Sequence, residues 1–81
     1  MLSNETIEQR LHSKAQFNKL EVTGDGHHYN VISVSDIFEG KSKVARQQWI
    51  YACLQDWIQS GELHAITMAT WTLIEWEKQH G

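Results

Sequence analysis

Two short segments rich in β-branched residues, Lys19–Thr23 and Tyr29–Val34, meet across Gly24-Asp25-Gly26, and this junction constrains the chain more than any other feature. Glycine adopts the positive φ values that a tight link between antiparallel strands demands. Leu20 and Val22 alternate with polar neighbours, the pattern of a strand with one buried face. A β-hairpin is therefore expected, with His27 and His28 at its tip.

The flanking segments have helical periodicity. Ile7, Leu11 and Ala15 repeat at i, i+4, i+8, so a helix is expected from about Asn4 to Lys14, with Ser3 or Asn4 as its cap. After a short turn at Ser35–Lys41, a long helix is expected from about Ser42 to Ser60, ended by Gly61. On that helix Val44, Gln47, Ile50, Tyr51, Leu54, Trp57 and Ile58 share one face, which should pack on the sheet. Ala45, Trp49, Ala52 and Asp56 fall on the other side. Leu63–Thr70 reads as a third strand, and Thr72-Leu73-Ile74-Glu75 as a capping box opening a last helix. The expected fold class is α/β (α+β), order α-β-β-(short α)-α-β-α, with a three-stranded sheet carrying its main helices on one face.

A length of 81 residues suits a single domain, 1–81. No apolar run approaches the roughly 20 residues of a membrane span, and the opening MLSNETIEQR is too polar for a signal peptide. The one cysteine, Cys53, excludes an internal disulfide and suits a reducing compartment, so a cytoplasmic location is expected. A net charge of −3 argues against a dominant, unspecific attraction to nucleic acid, though not against a local basic patch.

Enzymatic readings find little support. Gly24-Asp25-Gly26 lacks the further glycine and strand–helix context of a dinucleotide loop. Gly40-Lys41-Ser42 echoes the end of a phosphate-binding loop, but Ser35 stands where its first glycine belongs. Cys53, in mid-helix, suits packing better than nucleophilic work. No carboxylate pair has an acid–base spacing.

The five histidines are more informative, because imidazole is a common metal ligand. His12 and His80 read as solvated surface, whereas His27 and His28 can reach outward from the hairpin tip. His64 begins a strand in Gly-Glu-Leu-His-Ala-Ile, directly after a helix C-terminus. Two roles suit it equally: a partly buried histidine hydrogen-bonded at the sheet end, or a metal ligand. Two histidines do not close a tetrahedral zinc site, but an incomplete set is useful where a partner supplies the rest. Imidazole replaces thiolate on iron in some [2Fe–2S] centres. Lys41, Lys43 and Arg46 gather at the start of the long helix, which is either a solvated helix start or an edge for nucleic-acid phosphates. Trp49, expected on the polar face, is a candidate protein-contact residue.

The segments Val-Thr-Gly-Asp-Gly-His-His-Tyr-Asn-Val-Ile (22–32), Val-Ser-Asp-Ile-Phe-Glu-Gly-Lys-Ser-Lys-Val-Ala-Arg-Gln-Gln (34–48), Leu-His-Ala-Ile (63–66) and Thr-Trp-Thr-Leu-Ile-Glu-Trp (70–76) together resemble the BolA-like family, in particular its short-loop bacterial, YrbA-like branch. The resemblance implies a class II KH-like fold. It also implies a partner, a monothiol glutaredoxin, with which members share a [2Fe–2S] cluster. By that resemblance His64 is the family's C-terminal ligand and His28 the second, with His27 as the neighbouring alternative. A glutaredoxin cysteine and a glutathione thiolate would complete the set. Members described as transcriptional regulators touch DNA through the helix-turn region, which places that role on Lys41, Lys43 and Arg46. Ala45-Arg46-Gln47-Gln48 replaces the Arg-His-Arg of many relatives, and these lost cations, with the acidic balance, weaken phosphate attraction. Ala69 stands where close relatives tend to carry lysine, and Leu73 replaces a frequent proline without altering the expected fold. A third expectation is an adaptor that uses Trp49 and no metal.

Overall fold

The computed structural model describes residues 1–81. The elements are α1 (Asn4–His12), β1 (Lys19–Gly24), β2 (His28–Val34), a 3-10 turn (Asp36–Phe38), α2 (Lys43–Cys53), α3 (Gln55–Ser60), β3 (Ala65–Trp71) and α4 (Leu73–His80). The sheet order is β1-β2-β3. β1 pairs antiparallel with β2, Val22 opposite Val31, and β3 lies parallel to β2, Val31 opposite Met68. This is the expected mixed α/β order, and it is compatible with a KH-like arrangement.

Three of the four helices, α1, α2 and α4, begin where a side chain satisfies a first free amide, while α3 follows Leu54 with no side-chain cap. Ser3, Ser42 and Thr72 accept from the amides of Thr6, Ala45 and Glu75. At Thr72 the Glu75 carboxylate reciprocates, completing the expected capping box. Gly61 ends α3 with φ +83°, a left-handed conformation that side-chain-bearing residues avoid.

Strand alternation puts Val22, Val31 and Met68 on one sheet face, and the core forms there. Ile7 and Leu11 of α1, Phe38, Ile50 of α2, and Leu54 and Leu63 are buried against it. Leu63 is therefore a core plug just ahead of β3, which starts two residues later than expected. α4 is placed differently from the other helices. Its Trp76 and His80 gather around Trp71, which by alternation belongs to the face opposite Met68.

The expected single long helix is two. Leu54, with φ −114° and ψ 11°, breaks it between α2 and α3. The break exposes the Cys53 carbonyl, and Arg10 from α1 donates to it at 3.1 Å. The same guanidinium holds Asp56 through two hydrogen bonds and stacks 3.7 Å over the Trp57 ring. The buried stripe is also rotated relative to expectation. Val44 and Tyr51, expected inside, are 61% and 41% exposed, while Trp49 packs against the core through Phe17 and Phe38. The pivot of this rotation is Arg46, a charged residue that is nonetheless buried.

Candidate functional site: the histidine end of the sheet

The hairpin connection is short and fixed by one carboxylate. Asp25 Oδ1 accepts from the amides of His27 and His28 at 2.9 and 3.0 Å. These amides, His28 first and then His27, hold the Asp25 carboxyl below its ordinary pKa. Gly24 allows the close approach: a Cβ there would lie 2.5 Å from the His28 carbonyl and 2.8 Å from the Tyr29 ring. Tyr29 is buried and its hydroxyl donates to the Leu2 carbonyl at 2.6 Å, so the start of β2 is anchored from both sides.

The parallel register sets His28 opposite Ala65. His64 is thus one residue outside the ladder, with its Cα on the order of 6 Å from that of His28. Continued one step, the same register brings His27 level with His64. All three imidazoles are exposed. His28 also borders a shallow depression of about 160 Å³ on the open sheet face, lined by Thr23, Asn30, Ala65 and Thr67. His64 is therefore not the partly buried, hydrogen-bonded residue that one sequence reading expected. Two adjacent strand ends present free imidazoles at one end of the sheet, and no group of three or more His, Cys, Asp or Glu side chains comes together as a metal site. The donor set fits an ion or cluster whose remaining ligands come from elsewhere, and does not fit one held by this chain alone.

The basic residues divide. Lys41 and Lys43 are exposed at the start of α2, as expected. Arg46 is not an open cation: its guanidinium holds both Glu75 oxygens, at 2.7 and 3.2 Å, and donates to the carbonyls of Lys41 and Thr70. That ion pair and the Thr72 amide pull the Glu75 carboxyl down to about 2. The expectation that Arg46 serves phosphates is corrected, because its donors are already spent on structure. Trp49 is likewise half-buried in an aromatic cluster with Phe17 and Phe38, so it is not the free contact residue of a polar face. Cys53 has its thiol pKa pushed up by burial, in keeping with packing. Sequence reasoning missed Lys78, which shares a cleft with Lys41 and Lys43. No sequence pattern joins residues so far apart in the chain.

A family profile described as "BolA-like protein" matches residues 2–75. The acid stress protein IbaG of Escherichia coli K12 is 32% identical over 77 residues, covering 95% of this chain and 92% of that protein. The DNA-binding transcriptional regulator BolA of the same organism is 32% identical over 87 residues, covering 95% of this chain and 82% of that one. Neither is named as an enzyme. Among solved structures, a Bol-like protein from Babesia bovis superimposes with a TM-score of 0.87 at 32% identity, covering 100% of this chain and 96% of that one. With a profile spanning most of its length and relatives matched almost end to end, this chain belongs to the BolA-like family.

Proposed function

We propose that this protein is a non-enzymatic accessory factor of the cytosol that binds a monothiol glutaredoxin and ligates, together with it, a shared [2Fe–2S] cluster for assembly, transfer or redox sensing. The observation that carries the reading is the pairing of His64 with the hairpin histidines: free, exposed imidazoles on neighbouring strand ends, too few to hold a metal alone. A bound cluster would supply electron storage and exchangeable iron, with a glutaredoxin cysteine and a glutathione thiolate as its other ligands.

The chain's own part is positional. Asp25 fixes the backbone at His27 and His28, and the β2–β3 ladder fixes their distance to His64. Ligation from two strand ends of one sheet needs no rearrangement of the core, because the imidazoles already face solvent.

The test is to mix the protein with a cluster-loaded monothiol glutaredoxin and to record visible absorption and circular dichroism. A spectrum distinct from the glutaredoxin homodimer's, lost in His64→Ala, is expected. His28→Ala and His27→Ala then identify the second ligand, as the one whose loss removes the signal. An unchanged homodimer spectrum, or a His64→Ala protein that behaves like wild type, refutes the proposal.

The second reading is a DNA-binding regulator, favoured by the exposed Lys41 and Lys43 and by the name of one relative. It must do without Arg46 and against a net charge of −3. Its signature is steeply salt-dependent binding that falls in Lys43→Ala, and no binding at low salt disposes of it.

A further inference from the structure

β1 and β3 are the two edges of the sheet, and they end differently. At β1, the outward amide of Val22 is covered: Glu8 of α1 accepts from it at 3.1 Å. At β3 there is no such cover along the middle of the strand. Trp71 turns its carbonyl toward β2, where it accepts from Ser35, and Thr70 turns its carbonyl away, where it accepts from Arg46. Successive strand residues alternate, so Met68 points its amide and carbonyl outward, as Thr70 does. No backbone or side-chain group of the chain meets the Met68 pair or the Thr70 amide.

These groups open into a cleft of about 440 Å³ whose floor is Met68–Trp71. One wall is the start of α2, with Lys41, Lys43 and Gln47, and the other is α4, with Glu75, Lys78 and Gln79. Four of the chain's seven Lys and Arg residues line it, in a protein of net charge −3. Arg46 and Glu75 neutralise each other, which leaves Lys43, Lys78 and Lys41, whose ammonium donates to the Ile37 carbonyl at 2.6 Å, without an acidic partner around an open strand edge.

We propose that this cleft takes an extended, acidic peptide segment of a partner protein, which adds beside β3 as a fourth strand. An exposed edge is completed by another backbone, whose N–H and C=O groups match its own. A sugar-phosphate backbone has phosphates for the lysines but no N–H donors for the Met68 carbonyl, which only unstacked bases would supply. The lysines also select the occupant. Two copies of this chain meeting edge to edge would bring like charges together, which opposes self-pairing. An acidic strand gains instead. Its consecutive side chains alternate between the two walls, so neighbouring Asp or Glu residues would meet Lys41 and Lys43 on one side and Lys78 on the other. The floor spans about 10 Å, room for three or four residues, so a micromolar, rapidly exchanging contact is expected rather than a tight one. The cleft does not involve the histidines, so it works with or without a metal partner.

The experiment uses the full chain labelled with ¹⁵N and three probes. The first is an eight-residue peptide of Val and Thr with a central Asp-Glu pair. The second is the same peptide with its alternate backbone nitrogens methylated, in either register. The third is a single-stranded oligonucleotide of eight thymidines. Binding of the first peptide should shift the Met68 and Thr70 amide signals and slow their hydrogen exchange at least fivefold. At least one N-methylated register should bind tenfold or more weakly, and Lys43→Glu combined with Lys78→Glu should reduce binding of the parent peptide by a similar factor. Equal binding of parent and both methylated peptides overturns the proposal, since charge alone would then suffice. Displacement of the peptide by an equimolar amount of oligonucleotide, without protection of the two amides, also overturns it and assigns the cleft to nucleic acid.

Discussion

Removing the Arg46–Glu75 link should cost this small domain a large part of its stability, and mostly at neutral pH. Arg46 is nearly buried and makes four hydrogen bonds, to the Lys41 and Thr70 carbonyls and to both Glu75 oxygens. Hydrogen bonds to a charged group are worth about 1.5–3 kcal/mol net, and breaking a buried pair costs about 3–5 kcal/mol. Glu75 is 44% exposed and rehydrates when its partner goes, so about 2 kcal/mol is expected for Arg46→Ala. In a domain of this size that lowers Tm by roughly 8–16 °C.

The acid response follows from the same pair. Glu75 titrates near 2 in the fold, against an ordinary 4.5. A depressed carboxyl stabilises the fold above its ordinary pKa, and that contribution is lost as pH falls from about 4.5 to about 2. Complete shielding would make it about 3 kcal/mol; solvent screening at a partly exposed carboxylate reduces it to about 1 kcal/mol. Glu75→Gln keeps an acceptor for the Thr72 amide but no charge, so it isolates this share. Urea unfolding followed by tryptophan fluorescence, from pH 7 to pH 2, measures it. The variant should be about 1 kcal/mol less stable than wild type at pH 7 and equal to it at pH 2. If Glu75→Gln loses stability with acid as steeply as wild type, or if Arg46→Ala shifts Tm by less than about 3 °C, the pair does not fasten α2 to α4 in this way.

Asp25→Ala should speed amide exchange at His27 and His28 without unfolding the chain, because one carboxylate holds both amides. In wild type the same loosening should appear as pH falls below the ordinary aspartate range, since those amides hold the Asp25 pKa down. Gly61→Ala should cost about 1 kcal/mol, measured by urea unfolding; a Cβ there meets nothing within 4 Å, so the cost is that of a left-handed residue alone. Tyr29→Phe should cost about 1 kcal/mol, measured by urea unfolding, because the Leu2 carbonyl loses its donor. His64→Ala, at an exposed position, should leave the unfolding midpoint within about 0.5 kcal/mol of wild type while removing the mixed-cluster spectrum, and a large stability loss would mean that the residue is structural.

Local chemistry made most of the secondary structure legible. The hairpin, the Ser3 and Thr72 caps and the Gly61 stop depend on residues within a few positions of one another, and all are present in the fold. The histidine site was partly legible for the same reason. His27 and His28 sit at a turn readable from its glycines, and His64 at a readable strand start; only the parallel β2–β3 register shows that these meet at one end of the sheet. The long helix failed as a local reading because its break at Leu54 is held by Arg10, more than forty residues earlier. Its buried face was misplaced because periodicity assigns an arginine to solvent, and Arg46 is inside because Glu75 of α4 and the Lys41 and Thr70 carbonyls take its donors. The open β3 edge was invisible for a related reason: which strand lies at an edge, and whether a side chain covers it, depends on the packing of distant elements. What the sequence alone determined about this protein is the set of elements and the chemistry each carries, since propensity, capping and turn geometry act over a few residues. Tertiary structure alone decided which charges are free and which are neutralised, because desolvation and pairing depend on neighbours that the chain brings together only when it folds.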